Sequence, residues 1–123
     1  MKKLFYYSVS FIPSTKEWST DMLEELEEVI GKPKVYAITE RNGKETISRI
    51  NLTMKEVDGE VVEGHFFRNY DLDAISEIVG TGRMVMRIKD QRRDPDAKMR
   101  FLRYVVEDGY AYPMQQIKER RIL

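Results

Sequence analysis

Residues 83–103 read RMVMRIKDQRRDPDAKMRFLR, and the alternation in this stretch decides the fold class. Read with a period of two, Met84, Met86 and Ile88 fall on one face, and Arg83, Arg87 and Lys89 fall on the other around Val85. Successive side chains of a strand point to opposite faces, so this is an amphipathic strand with a basic outer side. Arg92-Arg93-Asp94-Pro95-Asp96 supplies turn chemistry. Beyond it, Lys98, Arg100 and Arg103 stand among Met99, Phe101, Leu102, Tyr104, Val105 and Val106. The stretch is a basic hairpin, with eight Lys or Arg against three Asp in a chain of zero formal net charge.

Downstream, Asp108-Gly109 turns the chain into Tyr110-Ala111-Tyr112, a short edge strand closed by Pro113. Met114 to Leu123 is expected to form a helical turn or two, with Lys118, Arg120 and Arg121 among Ile117, Ile122 and Leu123. Its apolar end is expected to dock on the sheet or on a neighbouring subunit. Upstream, Asp71 is predicted to cap a short helix carrying Leu72, Ile75, Ile78 and Val79, which Gly80 ends. Gly80-Thr81-Gly82 then reads as a C-cap and turn. A phosphate loop would need these glycines at a helix N-terminus, where the dipole favours anions.

Further upstream, Asn42-Gly43 and Asp58-Gly59 separate the runs Val35–Glu40, Glu45–Val57 and Val61–Tyr70. Both dipeptides favour tight hairpin turns, so the middle of the chain reads as a three-stranded meander. Ile50, Leu52 and Met54 share a face, and Ile47 falls out of phase with them, which predicts a bulge near Ser48 or Arg49. Lys3 to Ile12 is a first strand with Phe5, Tyr7, Val9 and Phe11 on one side. Trp18, Met22, Leu26 and Val29/Ile30 recur at helical spacing, predicting a helix over 17–30 with glutamates at 24, 25, 27 and 28 facing solvent. The order is β-α-β-β-β-α-β-β. The expected fold is a single α+β domain over 1–123, with a mainly antiparallel five- or six-stranded sheet and two helices.

Hydrophobic residues make up 41% and charged residues 34% of the 123 positions, the balance of a folded globule rather than a disordered chain. The absence of cysteine excludes a disulfide scaffold and thiol chemistry, and fits a reducing compartment. Met1-Lys2-Lys3 before Leu4-Phe5-Tyr6-Tyr7 resembles the start of a signal peptide. Ser8, Ser10 and Pro13 interrupt it, and no small-residue cleavage site follows. No apolar run reaches membrane-spanning length, and the expected location is the cytoplasm. The neutral total hides an asymmetry. Residues 1–80 hold 10 basic and 15 acidic side chains and residues 81–123 hold 11 and 6, giving halves of −5 and +5.

Little here specifies catalysis. His65, with Glu63 and Phe67 on the same strand face, has the chemistry of an acid–base pair, and equally that of a polar pair on a sheet. There is no nucleophile elbow and no Walker-type loop, and one histidine without cysteine does not make a zinc site. Asp71-x-Asp73 reads as helix capping, and no metal or cofactor is expected. The basic segment lies close to Tyr104, Tyr110 and Tyr112, and Phe66, Phe67 and Tyr70 are expected on the same sheet. Charge for phosphate beside a ring for stacking is what a nucleotide or nucleic acid requires. The expected ligand-binding residues are Arg87, Lys89, Arg92, Arg93, Arg100, Arg103, Tyr104 and Tyr112. The expected function is that of a non-enzymatic binding protein, a regulator or inhibitor of the kind phages and mobile elements encode. Its partner would be anionic: nucleic acid, a nucleotide-type ligand or an acidic protein surface. The alternative is a structural or assembly subunit whose oppositely charged halves pair between protomers. The apolar C-terminus and the oppositely charged halves predict a homo-oligomer, with a symmetric dimer as the expected form, and a small enzyme using His65 is the third reading.

Overall fold

Three tight turns set the strand framework. Asn42-Gly43, Asp58-Gly59 and Asp108-Gly109 each place both residues at positive φ, from 50° to 86°, the conformation that matches the twist of a two-residue hairpin. A computed structural model describes residues 3–31, 35–64 and 69–114. In chain order it contains β1 (Leu4–Pro13), α1 (Thr20–Ile30), β2 (Val35–Arg41), β3 (Lys44–Val57) and β4 (Glu60–Gly64). α2 (Asn69–Val79), β5 (Gly82–Asp90), β6 (Arg100–Glu107) and β7 (Tyr110–Pro113) follow. The α+β fold with a mostly antiparallel sheet and two helices is therefore as expected. No described helix is long and apolar enough to cross a membrane.

The strand order is β2-β3-β1-β5-β6-β7, and β4 also pairs with β3. Here the meander reading needs correction. Met54 of β3 pairs with Tyr7 of β1 and with Gly64 of β4, and Ile50 pairs with Phe11 of β1 and Tyr36 of β2. β1 therefore takes one edge of β3 along Ile50–Val57, while β2 and β4 share the other edge end to end. β4 is also shorter than the predicted Val61–Tyr70 strand: it stops at Gly64, and Asn69 and Tyr70 open α2. The bulge at Ser48 is present, since Ala37 pairs with Arg49 and Ile38 with Ile47. A second bulge leaves Val62 of β4 unpaired between Val61↔Glu56 and Glu63↔Lys55.

Both helices lie against one face of the sheet. Val9, Phe11, Ile50, Leu52, Met84, Met86 and Val106 form one buried cluster with Leu26 and Ile30 of α1 and Leu72, Ile75 and Val79 of α2. α1 begins at Thr20 rather than at residue 17, because the Ser19 side chain accepts from the Met22 N–H as N-cap. Trp18 lies ahead of the helix, 3% exposed. Its Nε1 donates to the Phe11 carbonyl at 3.1 Å, and its backbone N–H donates to the Ile47 carbonyl. Gly80 ends α2 with φ 72°, and its N–H donates to the Ser76 carbonyl. Gly82 opens β5 where a Cβ would come within 2.2 Å of the Ile12 carbonyl oxygen. The Gly-Thr-Gly segment is thus a cap and a close strand crossing.

Candidate anion-binding face

The side of the sheet away from the helices is built by strand alternation. On β1 it receives Tyr6, Ser8, Ser10 and Ile12, opposite Lys89, Arg87, Val85 and Arg83 of β5. On the other side Lys55, Thr53 and Asn51 of β3 pair with Tyr6, Ser8 and Ser10, and Arg49 lines the same depression as Ile12. The β5–β6 register adds Phe101 opposite Arg87, Arg103 opposite Val85, and Val105 opposite Arg83. Between Lys55 and Val105 the face carries arginine and lysine, and carboxylate-bearing residues stand at its margins, Glu107 two residues beyond Val105 on β6 and Glu63 of β4 in register with Lys55.

The middle strand supplies small residues, and that shapes the surface. Ser8 and Ser10 are 1% and 5% exposed. The Ser8 hydroxyl pairs with that of Thr53 at 3.3 Å, and the Ser10 hydroxyl donates to Asn51 Oδ1 at 2.5 Å. Long side chains on either side of this low floor leave an open depression of about 520 Å³, lined by Ser10, Arg49, Arg83, Arg87, Phe101 and Arg103 among others. Among the described residues the ion pair is Arg92–Asp90, so the arginines of the depression have no carboxylate partner there. Gathering uncompensated guanidinium groups costs electrostatic energy that an arriving anion relieves.

The expected ligand residues divide between the two faces. Arg87, Lys89 and Arg103 stand on the open face, with Lys89 level with Tyr6. Arg100 pairs with Ile88 and Tyr104 with Met84, which puts both on the helix side. Tyr104 packs against the core there, and part of the residue also lines the depression on the open side. Tyr7, on the same side, has its phenol pushed up to about 12 by burial and then by the neighbouring Tyr104.

Arg92 also turns to the helix side. Its guanidinium lies 4.1 Å from the centroid of the Phe5 ring, and Nε and Nη2 donate to Asp90 at 2.9 and 2.8 Å. Those bonds, with the Arg92 backbone N–H, hold the Asp90 carboxyl down at about 2. Arg92 is therefore spent on a cation–π contact and a bidentate ion pair, not extended from the turn as a free charge. Arg93 is exposed in the connection between β5 and β6. Tyr112 pairs with Val105 on the open face, tilted against Tyr110 with 6.5 Å between ring centroids. His65, Phe66 and Phe67 lie outside the described residues, as does the segment 115–123.

Arg49, Arg83, Ser10 and Phe101 complete the depression without having been singled out as ligand residues. Phe101 was legible, because its parity with Arg103 in β6 puts the two on one face and Arg100 and Tyr104 on the other. Arg49 was not, since its approach to β5 depends on β1 lying between β3 and β5, which no local pattern shows. Among the described residues no group of His, Cys, Asp and Glu is arranged to hold a metal ion. No protein-family model, curated protein or solved structure matches the chain.

Proposed function

We propose that this is a non-enzymatic binding protein that holds an anionic partner on the open face of its sheet. One observation carries the reading: Arg49, Arg83, Arg87 and Arg103 converge on one depression whose lining holds no carboxylate. Arginine suits such a site because its planar fork makes paired hydrogen bonds to phosphate or carboxylate. A regulator or inhibitor acting by occupancy needs no further chemistry. The test is retention on immobilised heparin, a generic polyanion. Arg83→Glu/Arg87→Glu is expected to elute at clearly lower salt than the unmodified chain, while Arg92→Glu/Arg93→Glu changes elution little. Equal elution of the first variant and the parent overturns the reading.

A second reading, assembly through opposite charges, is favoured by α1, whose Glu24, Glu25, Glu27 and Glu28 are exposed on the helix-covered side. The acidic helix of one copy would then fill the basic face of the next, a head-to-tail contact rather than a closed symmetric one. Light scattering at low and high salt tests it. A mass that falls from oligomer to monomer as salt rises supports this reading, and a monomer at both salt concentrations contradicts it.

A further inference from the structure

We infer that the anion on this face is single-stranded nucleic acid, laid across the strands with a base stacked on Phe101. The inference rests on the anion-binding reading above and names its ligand. Shape is the first argument. The central depression shares Ile12, Arg49 and Arg83 with a neighbouring one of about 660 Å³ that reaches Lys16, Thr39 and Ser48. On the other side it shares Phe101, Arg103 and Met114 with one of about 490 Å³ that reaches Pro113. Together they make one open track from the β6–β7 end, across β5 and β1, to the β2–β3 edge. Four strand spacings of about 4.8 Å make that roughly 19 Å. Such a track fits an extended chain better than a mononucleotide, which is held in a concave, largely enclosed pocket.

The spacing of charge is the second argument. Arg103 of β6, Arg87 and Arg83 of β5, Arg49 of β3 and Lys16 of the β1–α1 connection succeed one another along the track. A phosphate backbone presents charge in just that repeating way.

The third argument is Phe101. Its ring is 60% exposed in the middle of the arginines, opposite Arg87. A large apolar ring left in water on a charged face is explained by a partner that covers it. An unpaired base offers a flat π-face for that, while its phosphates meet the guanidinium groups. A duplex keeps its bases stacked on each other and has only phosphates to offer, so Phe101 would gain nothing from it. An acidic protein surface satisfies the arginines but supplies no planar group for the ring.

The experiment uses fluorescence anisotropy with labelled oligo-dT and oligo-U of about ten nucleotides, a duplex of the same length, and heparin retention measured in parallel. The full chain is compared with Phe101→Ala, Phe101→Trp and Arg83→Glu/Arg87→Glu, each checked by circular dichroism. Single strands are expected to bind at least about tenfold more tightly than the duplex. Phe101→Ala is expected to lose about tenfold or more toward single strands, the scale of one base–aromatic stack, a loss well beyond any change in its heparin retention. Phe101→Trp is expected to keep binding. A preference for oligo-U names RNA and a preference for oligo-dT names DNA; either supports the inference. Equal affinity for duplex and single strand, or no loss in Phe101→Ala, overturns it while leaving the anion-binding reading standing. Heparin retention unaltered by Arg83→Glu/Arg87→Glu removes that reading and the inference with it.

Discussion

Gly64 shows how a single residue records a contact far away in the chain. It sits at φ 98°, and a Cβ there would lie 1.9 Å from the Thr53 carbonyl oxygen. Gly64→Ala is therefore expected to cost about 3 kcal/mol or more, through backbone strain and a clash that only main-chain movement relieves. Gly43→Ala is the control: it has φ 76° and nothing within 4 Å, so only the left-handed penalty of about 1–2 kcal/mol applies. Urea unfolding of the two variants checks both. Asn42-Gly43 was legible as a turn because its chemistry is local, whereas Gly64 was not, because its constraint comes from a neighbouring strand. Two titrations belong to this scale as well. Asp90 is lowered in the fold to about 2 from 3.8, so its contribution to stability is present above pH 4 and lost as pH falls toward 2. The stability difference between the parent chain and Asp90→Asn is expected to shrink through that window. Tyr7 is raised from 10.0 to about 12, so the stability linked to its protonated form is full below pH 10 and lost between 10 and 12. Tyr7→Phe is expected to remove that alkaline decline, followed by unfolding at stepped pH.

At the scale of elements, the boundaries are set by tertiary partners that periodicity does not show. Helical spacing extended α1 back to Trp18. In the structure that residue is a plug between β1 and β3, tied to the Phe11 and Ile47 carbonyls. Trp18→Phe is expected to cost about 1–3 kcal/mol from the lost indole hydrogen bond and the volume left empty. Ser19→Ala, which removes only the N-cap, is expected to cost about 1 kcal/mol. Thermal unfolding of the two separates plug from cap. The bulge at Ser48 was readable because a phase slip between Ile47 and Ile50 leaves a trace in the sequence. The sharing of one β3 edge by β2 and β4 leaves no such trace, since hairpin turns specify which strands are joined and not which edge is taken. The β5 face was readable in the same local way, and Arg83, Arg87 and Lys89 stand where alternation puts them. The fate of Arg92 was not readable, because Phe5 is distant in sequence and reaches it only through the pairing of β1 with β5.

For the whole molecule, the sheet divides the chain chemically. Among the described residues, one side is closed by two helices over an apolar core, and the other is open, basic and low in the middle. The excess of positive charge in residues 81–123 is thus partly a property of one surface, and Arg49 from the acidic half joins it across β1. The central claim is that this surface, and not the exposed connection at 91–99, is where an anion lands. The most direct measurement is a ¹H–¹⁵N NMR titration of the full chain with a heparin oligosaccharide. Amide shifts are expected to concentrate at Ser10, Arg49, Arg83, Val85, Arg87, Phe101 and Arg103, with α1, α2 and the Arg92–Arg93 turn unmoved. Shifts confined to that turn or to the helix-covered side, with the open face silent at saturation, would contradict the account.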